Sequence, residues 1–135
     1  MVKMSIRYTG GLHCAATHGP SQTEIATDAP TDNQGKGEAF SPTDLVAAAL
    51  GTCMATTMAI VGERKGIKLD GMTVEVTKEM TDNPRRIRRI GVEIHLPLPE
   101  SCSDRELLER TARHCPVHQS LHPDVQMPVQ FFWEG

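Results

Sequence analysis

The sequence has few aromatic residues, and this limits the core it can build. Its 135 residues include one Trp, one Tyr and three Phe, and the hydrophobic fraction is 39%. A chain of this length suits one domain, or one subunit of an intertwined pair. Because so modest a core is hard to stabilise alone, we expect a single domain over residues 1–135 that a partner subunit supports.

Charge of one sign and long apolar runs are also scarce. The formal net charge is −3, and no block of five like charges occurs. The densest basic patch, PRRIRR at 84–89, is interrupted by Ile87, which favours the solvent face of a strand over a nucleic-acid site. No apolar run approaches the roughly 18 residues of a membrane span, and the N-terminus has no signal-peptide core. We expect a soluble, cytoplasmic protein that binds neither membrane nor nucleic acid.

Alternation of apolar and polar residues predicts strands at both ends of the chain. Three lie in the first third, with a two-residue hairpin turn at Gly10-Gly11 and a loop over 30–40. Three more follow later, and Pro128 indicates an edge or bulge in the last. The six predicted strands cover residues 3–9, 12–19, 22–29, 72–81, 87–97 and 125–134.

Three helices are predicted between these strands. The first has Ser41 as N-cap and Pro42 as first residue, and it is apolar nearly all round up to Gly66, so it should be buried. The second is amphipathic and follows Ser103 as N-cap. The third is short, with Cys115 as N-cap and Pro116 as first residue.

The four cysteines occupy different settings. In a reducing compartment any disulfide among them would be transient and chemical. Cys53 lies in the middle of the first helix, where a buried core thiol is the favoured interpretation. A reactive thiol at this position would need a cation or a hydrogen-bond donor from another part of the fold. Cys115 precedes a helix N-terminus, where backbone N–H groups favour a thiolate, although a simple capping role fits equally. Cys14 and Cys102 have no comparable setting.

Histidines near Cys115 raise the alternative of a metal site. His114, His118 and His122 surround that cysteine at spacings that zinc sites use. Such sites usually draw on a second pair of ligands, and the candidates His13 and Cys14 are adjacent on a strand and point to opposite faces. We therefore expect no bound metal.

Two segments together resemble the OsmC/Ohr family of thiol-dependent peroxide-detoxifying proteins. The first is SPTDLVAAALGTC at 41–53, similar to the family's helix start, alanine-rich run and cysteine. The second is HCPVHQSL at 114–121, similar to the family's Cys-Pro motif. The predicted order of three strands, a helix, two strands, two helices and a strand also matches that family.

The resemblance implies both a fold and a reaction. The fold is α+β, a β3-α-β2-α2-β subunit with a long buried central helix, assembled as an intertwined homodimer. Cys53 would be the peroxidatic thiol that becomes a sulfenic acid, and Cys115 the resolving thiol that closes a disulfide. An external thiol or dithiol would reduce that disulfide, and no cofactor is implied.

The chain departs from the family pattern around the expected thiolate. Where the family's peroxidases have a glutamate ten positions before the first cysteine, this chain has Thr43, followed by Asp44. The arginine that pairs with that glutamate has no clear counterpart, and His18 is the one candidate cation in the matching region. The departure leaves open an alternative function, a non-catalytic dimeric protein that binds a small ligand on the same scaffold.

Overall fold

A computed structural model describes residues 1–135, and its elements follow the predicted order. The chain is α+β, with two three-stranded sheets and the long helix between them in sequence. Its contacts divide it into two compact units, Met1–Val46 and Ala47–Gly135, which are described separately below.

The N-terminal unit contains an antiparallel sheet of β1 (Met4–Gly10), β2 (His13–His18) and β3 (Glu24–Asp28), in that order. The first hairpin turn is shifted by one residue from the prediction. Gly10 pairs with His13, so the two turn residues are Gly11 and Leu12, both at positive φ. The left-handed backbone that such a turn requires is easy for glycine, and here Leu12 adopts it as well.

One face of this sheet is apolar and exposed. Met4, Ile6 and Tyr8 alternate along β1 with exposed fractions of 58%, 67% and 64%, and Ile25 of β3 is exposed as well. In monomeric proteins, contiguous exposed apolar surface of this kind usually indicates a site of association.

The loop after β3 is compact. It contains a short 3-10 helix, Thr31–Asn33, and returns to β3, where the Asp28 N–H donates to the Phe40 carbonyl. Gly35 lies so close to Ala29 that a Cβ there would overlap the Ala29 carbonyl oxygen, so the loop can close only because this residue is glycine.

The long helix α1 spans Pro42–Arg64, as predicted. Ser41 caps it: the Asp44 N–H donates to Ser41 Oγ at 3.0 Å, and the Ser41 N–H donates to the Asp44 carboxylate at 2.9 Å. This reciprocal pair satisfies two backbone donors at the helix N-terminus. After the helix, Gly66 lies at positive φ (71°), which is typical of a C-terminal glycine.

The C-terminal unit is built on a sheet of β4 (Thr73–Thr81), β5 (Arg86–Leu96) and β6 (Val129–Trp133). β4 runs antiparallel to β5, and β6 runs parallel to β5. Because β6 is last in the strand order β4-β5-β6, it is an edge strand, as Pro128 predicted. The basic patch extends into β5, where Arg88 and Arg89 both pair with Glu79 on the neighbouring strand. This pairing agrees with the expected solvent face of a strand.

The core of the C-terminal unit lies between α1 and this sheet. Leu50, Met54 and Met58 are fully buried and belong to one cluster with alternate residues of β5. Gly51 allows close approach, since a Cβ there would lie 2.7 Å from Cγ2 of Val76 on β4. The backbone of α1 at Gly51 therefore packs directly against valine side chains of β4.

The expectation that α1 is buried all round is wrong for a single chain. Ile60 is 46% exposed, and Thr52 and Thr56 are also exposed. The expectation that no segment is long and apolar enough for a membrane span is also wrong, because α1 meets that test by length and composition. A core helix of a folded domain meets the same test, and the Leu50, Met54 and Met58 face of α1 packs in this way.

Two shorter helices complete this unit. α2 spans Arg105–Arg113 and α3 spans Pro116–Ser120. The predicted cap of α2 is wrong by one residue: the N-cap is Asp104 rather than Ser103, and its side chain makes no capping hydrogen bond. The predicted cap of α3 is confirmed, with Cys115 as N-cap and Pro116 as first residue.

Candidate active site

Cys53 lies near the middle of α1 and is half-buried rather than buried. Its side chain packs against the core cluster of the C-terminal unit. One turn later, the Thr57 hydroxyl donates to the Cys53 carbonyl oxygen at 2.8 Å. The sequence favoured a fully enclosed core thiol here, whereas Cys53 is only partly buried in the structure.

Cys115 is almost completely enclosed, with 1% of its surface exposed. Its backbone is extended between α2 and α3, and its Sγ accepts a hydrogen bond from the His118 N–H at 3.4 Å. Leu108 and Ala112 of α2 lie in the same buried cluster. Leu108 and Ala112 are four residues apart and share the face of α2 that meets the core, and Cys115 joins them from beyond the end of this helix.

The structure brings Cys53 and Cys115 together. Both are free thiols, and both pack in the same core cluster. Burial raises the pKa of the Cys115 thiol, and the neighbouring Cys53 side chain raises it further. The N–H groups of His118 and Val117 act in the opposite direction but do not prevail.

This balance disfavours the thiolate interpretation of Cys115 and favours the capping role, which fitted the sequence equally well. Backbone N–H groups at a helix N-terminus do favour a thiolate, but α3 has only five residues and the sulfur is enclosed. Desolvation penalises the charged form more than these donors stabilise it. The Cys115 thiol therefore stays protonated at neutral pH.

The three supporting residues that the resemblance suggested lie in the N-terminal unit, and each has a local partner. The Asp44 carboxylate accepts from the Ser41 N–H, and Thr43 Oγ1 lies 3.2 Å from Ser41 Oγ. His18 Nδ1 bonds Ser21 in the turn after β2. The structure thus gives Asp44 a helix-capping role and His18 a turn role.

The other cysteines and histidines do not join the pair. Cys14 lies in β2, and Cys102 lies in the turn before α2. His114 Nδ1 contacts the Arg110 carbonyl at 2.8 Å, and the exposed His122 pairs with Asp124. These positions show no arrangement around Cys115 of the kind a zinc site needs.

A surface cavity of about 310 Å³ opens between α1 and α2, and neither cysteine of the pair lines it. Two of its residues are neighbours of the cysteines in the chain, because Thr57 follows Cys53 by one helical turn and His114 precedes Cys115. The lining residues are Thr57, Ile60, Val61, Arg64, Thr111 and His114.

Comparison with known families identifies the fold. The model of the OsmC-like protein family matches residues 35–129, which include both cysteines of the pair. The chain therefore belongs to the OsmC-like protein family. Comparison with curated protein sequences gives no match.

Solved structures agree with this assignment. The chain is 42% identical to a Psychrobacter arcticus 273-4 protein, provisionally described as an osmotic stress induced and detoxification response protein, with a TM-score of 0.92 over 97% of this chain and 96% of that one. An OsmC-like protein from Mycoplasma pneumoniae is 21% identical, with a TM-score of 0.77 over 97% and 95% of the two chains. An organic hydroperoxide resistance protein from Legionella pneumophila is 18% identical, with a TM-score of 0.75 over 98% and 96%. The last two likenesses concern the fold.

Proposed function

We propose that this protein is a thiol-dependent peroxidase that reduces organic hydroperoxides or hydrogen peroxide. The observation that carries the proposal is the pair of free thiols, Cys53 and Cys115, which pack in one core cluster and are close enough for Cys53 to raise the pKa of Cys115. A disulfide requires the two sulfurs to come within about 2.05 Å of each other. Such a pair is suited to reversible disulfide formation.

The reaction has three balanced steps. The Cys53 thiolate attacks one peroxide oxygen, the O–O bond breaks, and the alkoxide leaves as an alcohol after taking up a proton, so Cys53 becomes a sulfenic acid. The Cys115 thiol then attacks the sulfenic sulfur, forming the Cys53–Cys115 disulfide and releasing water. Two external thiol groups, or one dithiol, reduce this disulfide by exchange.

The two thiols differ in ways that suit these two roles. Attack on an external substrate requires access, and Cys53 is the less buried of the pair. Cys115 is enclosed and its pKa is raised, which makes it the poorer nucleophile toward an external substrate. Access and burial thus favour Cys53 as the nucleophile and Cys115 as the resolving residue.

The cavity between α1 and α2 favours an organic hydroperoxide as the substrate. Ile60 and Val61 contribute apolar wall, and Arg64 places a cation at the same cavity. A volume of about 310 Å³ is at the lower end of small-molecule sites, which run from about 300 Å³. The name of the Legionella relative, an organic hydroperoxide resistance protein, points to the same class of substrate.

A homodimer is part of the proposal. In a single chain, the apolar face of the N-terminal sheet is exposed, and so is Ile60 of α1. A second copy of the chain that covers both surfaces would complete the burial that α1 lacks. We also propose a cytoplasmic location, since the cycle needs reducing thiols.

Peroxide consumption by the reduced protein tests the reaction. With a dithiol as reductant, Cys53→Ser should lose turnover, and Cys115→Ser should lose turnover with dithiols while keeping a single-turnover burst. Cys14→Ser is the matched control, because it removes a half-buried thiol outside the pair and should retain the wild-type rate. A Cys53→Ser protein that removes peroxide at the wild-type rate would refute the proposal.

A second candidate function is the binding of a small ligand without turnover. The engagement of Asp44 in the α1 cap favours it, because this carboxylate stands next to the position where the family's peroxidases have their activating glutamate. Peroxide consumption no faster than that of free cysteine, together with saturable binding of an apolar ligand that Val61→Asp abolishes, would support this function.

A further inference from the structure

Three metal-binding side chains meet in the N-terminal unit, where β2 begins and β3 ends. The strand register sets His13 opposite Asp28, and the loop over 29–40 returns Glu38 to the same place. One ligand atom of each residue lies within 4.8 Å of the other two. The sequence pattern alone pairs His13 only with Cys14 as possible ligands. In the structure the neighbours of His13 are Asp28 on the paired strand and Glu38 in the loop that follows it.

Asp28 has an unused ligand atom directed into this cluster. The residue is 1% exposed, and its Oδ2 accepts the Glu38 N–H at 3.0 Å. Its Oδ1 is buried without a hydrogen-bond partner and lies 3.4 Å from His13 Nε2. A buried oxygen left in this way is unfavourable unless another group satisfies it.

An ion pair with a protonated His13 explains only part of this arrangement. It would account for Asp28 Oδ1, but it leaves the Glu38 carboxylate beside a second carboxylate. Like charges at this separation repel. A cation with a charge of two between the three side chains would satisfy both carboxylates and the imidazole together.

The surrounding backbone holds the cluster ready. The Glu38 N–H holds the buried Asp28 carboxylate in place through its hydrogen bond to Oδ2. The loop can close over this position because residue 35 is glycine, since any side chain there would overlap Ala29. Asp28 is therefore a fixed ligand, whereas the Glu38 side chain is exposed.

We infer that His13, Asp28 and Glu38 form a binding site for a divalent transition-metal ion, for which zinc is the best match. Two ligands of a tetrahedral zinc ion at about 2.0–2.1 Å lie about 3.4 Å apart, which equals the distance between His13 Nε2 and Asp28 Oδ1. Three atoms no more than 4.8 Å apart share a point within about 2.8 Å of each, so movements of roughly 0.7 Å reach bonding distance. The imidazole disfavours magnesium and calcium, which take oxygen ligands.

The ion would tie the loop over 29–40 to the two strands that flank it. His13 opens β2, Asp28 closes β3, and Glu38 stands three residues before the Ser41 cap of α1. The fourth zinc position would take water, as in sites with three protein ligands. The cysteine pair lies in the other unit, so this site can fail its test while the peroxidase proposal stands, and the reverse also holds.

Zinc titration of the metal-free, reduced full-length chain by calorimetry tests the inference. We expect one zinc ion per chain and at least a roughly tenfold weaker affinity in Glu38→Gln, which removes one charged ligand. Glu24→Gln is the matched control, because it removes an exposed carboxylate of the same sheet, and it should bind as wild type does. His13→Gln and Asp28→Asn should also weaken binding, and the exposed Glu38 keeps the test valid if Asp28→Asn fails to fold.

Cobalt substitution separates this site from the thiols. Cobalt(II) bound by His13, Asp28 and Glu38 should give visible bands of a four-coordinate nitrogen and oxygen site without a thiolate charge-transfer band. Absence of zinc binding, equal affinity in Glu24→Gln and Glu38→Gln, or a thiolate band that Cys53→Ser removes would each overturn the inference.

Discussion

The close contact between α1 and β4 makes Gly51→Ala a sensitive test of the packing that positions Cys53. Two effects oppose each other. Alanine is favoured over glycine in a helix interior by about 1 kcal/mol. The new methyl, however, would lie 2.7 Å from Cγ2 of Val76 and 3.2 Å from Cγ1 of Val74.

The steric effect should win. The valine side chains are β-branched and restricted in rotation, so the neighbouring methyl groups can move away only with the strand. Overpacking of a core costs about 1–3 kcal/mol. We therefore expect a net loss of about 1 kcal/mol in the free energy of unfolding, or roughly 0.5 M in the urea midpoint at a slope of about 2 kcal/mol/M.

Urea denaturation of six proteins at one chain concentration measures this balance: the wild type, Gly51→Ala, Val76→Ala, the Gly51→Ala/Val76→Ala double variant, Arg110→Ala and Arg110→Gly. Comparing Arg110→Ala with Arg110→Gly gives the preference of a helix for alanine at an exposed position of α2. Repeating Gly51→Ala in a Val76→Ala background should turn the loss into a gain, because the first contact is removed. A rise in the free energy of unfolding in Gly51→Ala as large as the difference between Arg110→Ala and Arg110→Gly would contradict the packing. That result would show that α1 does not approach the sheet as closely as described.

Three further predictions concern the thiols and the core. In alkylation of the reduced protein at neutral pH, followed by mass spectrometry, Cys53 should react before the enclosed Cys115, and equal rates would contradict the burial described. The pKa of Cys115 in the folded protein is raised above its ordinary value of 9.0, so its contribution to stability is present below pH 9 and is lost as the pH rises. The decline in unfolding free energy at alkaline pH should therefore be shallower in Cys115→Ala than in the wild type. Identical declines in the two proteins would count against the raised pKa. Met54→Lys places an unpaired charge in the core at a cost of several kcal/mol against a total of about 5–15, so it should lose folded circular dichroism and the proposed dimer together. Ile60→Lys should remain folded, and a folded Met54→Lys monomer in size-exclusion chromatography would disprove this packing.

Local patterns were sufficient to predict the elements of the fold. Alternation identified the six strands, and the sequence from Ser41 to Gly66 contains the start, the apolar length and the stop of α1. The errors lie where tertiary contacts decide. Gly11 and Leu12 form the first turn because the strand register requires it, and Asp104 rather than Ser103 precedes α2.

The sequence motifs suggested the members of the candidate site but not its electrostatics. The resemblance carried by the two motifs suggested Cys53 and Cys115, and in the structure both pack in one core cluster. The local sequence around Cys115 shows a helix N-terminus, which favours a thiolate, but it does not show the enclosure by α1 and α2 that raises the pKa. Burial depends on residues distant in sequence, and local pattern carries no information about it.

The cluster of His13, Asp28 and Glu38 was missed for a related reason. His13 and Asp28 face each other only once the register of β2 and β3 is known, and Glu38 joins them only because the loop folds back at Gly35. No spacing along the chain suggests three ligands at these positions. Knowledge of the strand pairing would have identified His13 and Asp28, whereas Glu38 can be identified only from the three-dimensional structure.

The most direct test of the account is the identity of the bond that one equivalent of an organic hydroperoxide forms in the reduced protein. Non-reducing peptide mapping should find a single disulfide, between Cys53 and Cys115, with Cys14 and Cys102 still free. A product in which Cys53 is over-oxidised while Cys115 remains a thiol, or in which the disulfide uses Cys14 or Cys102, would contradict it.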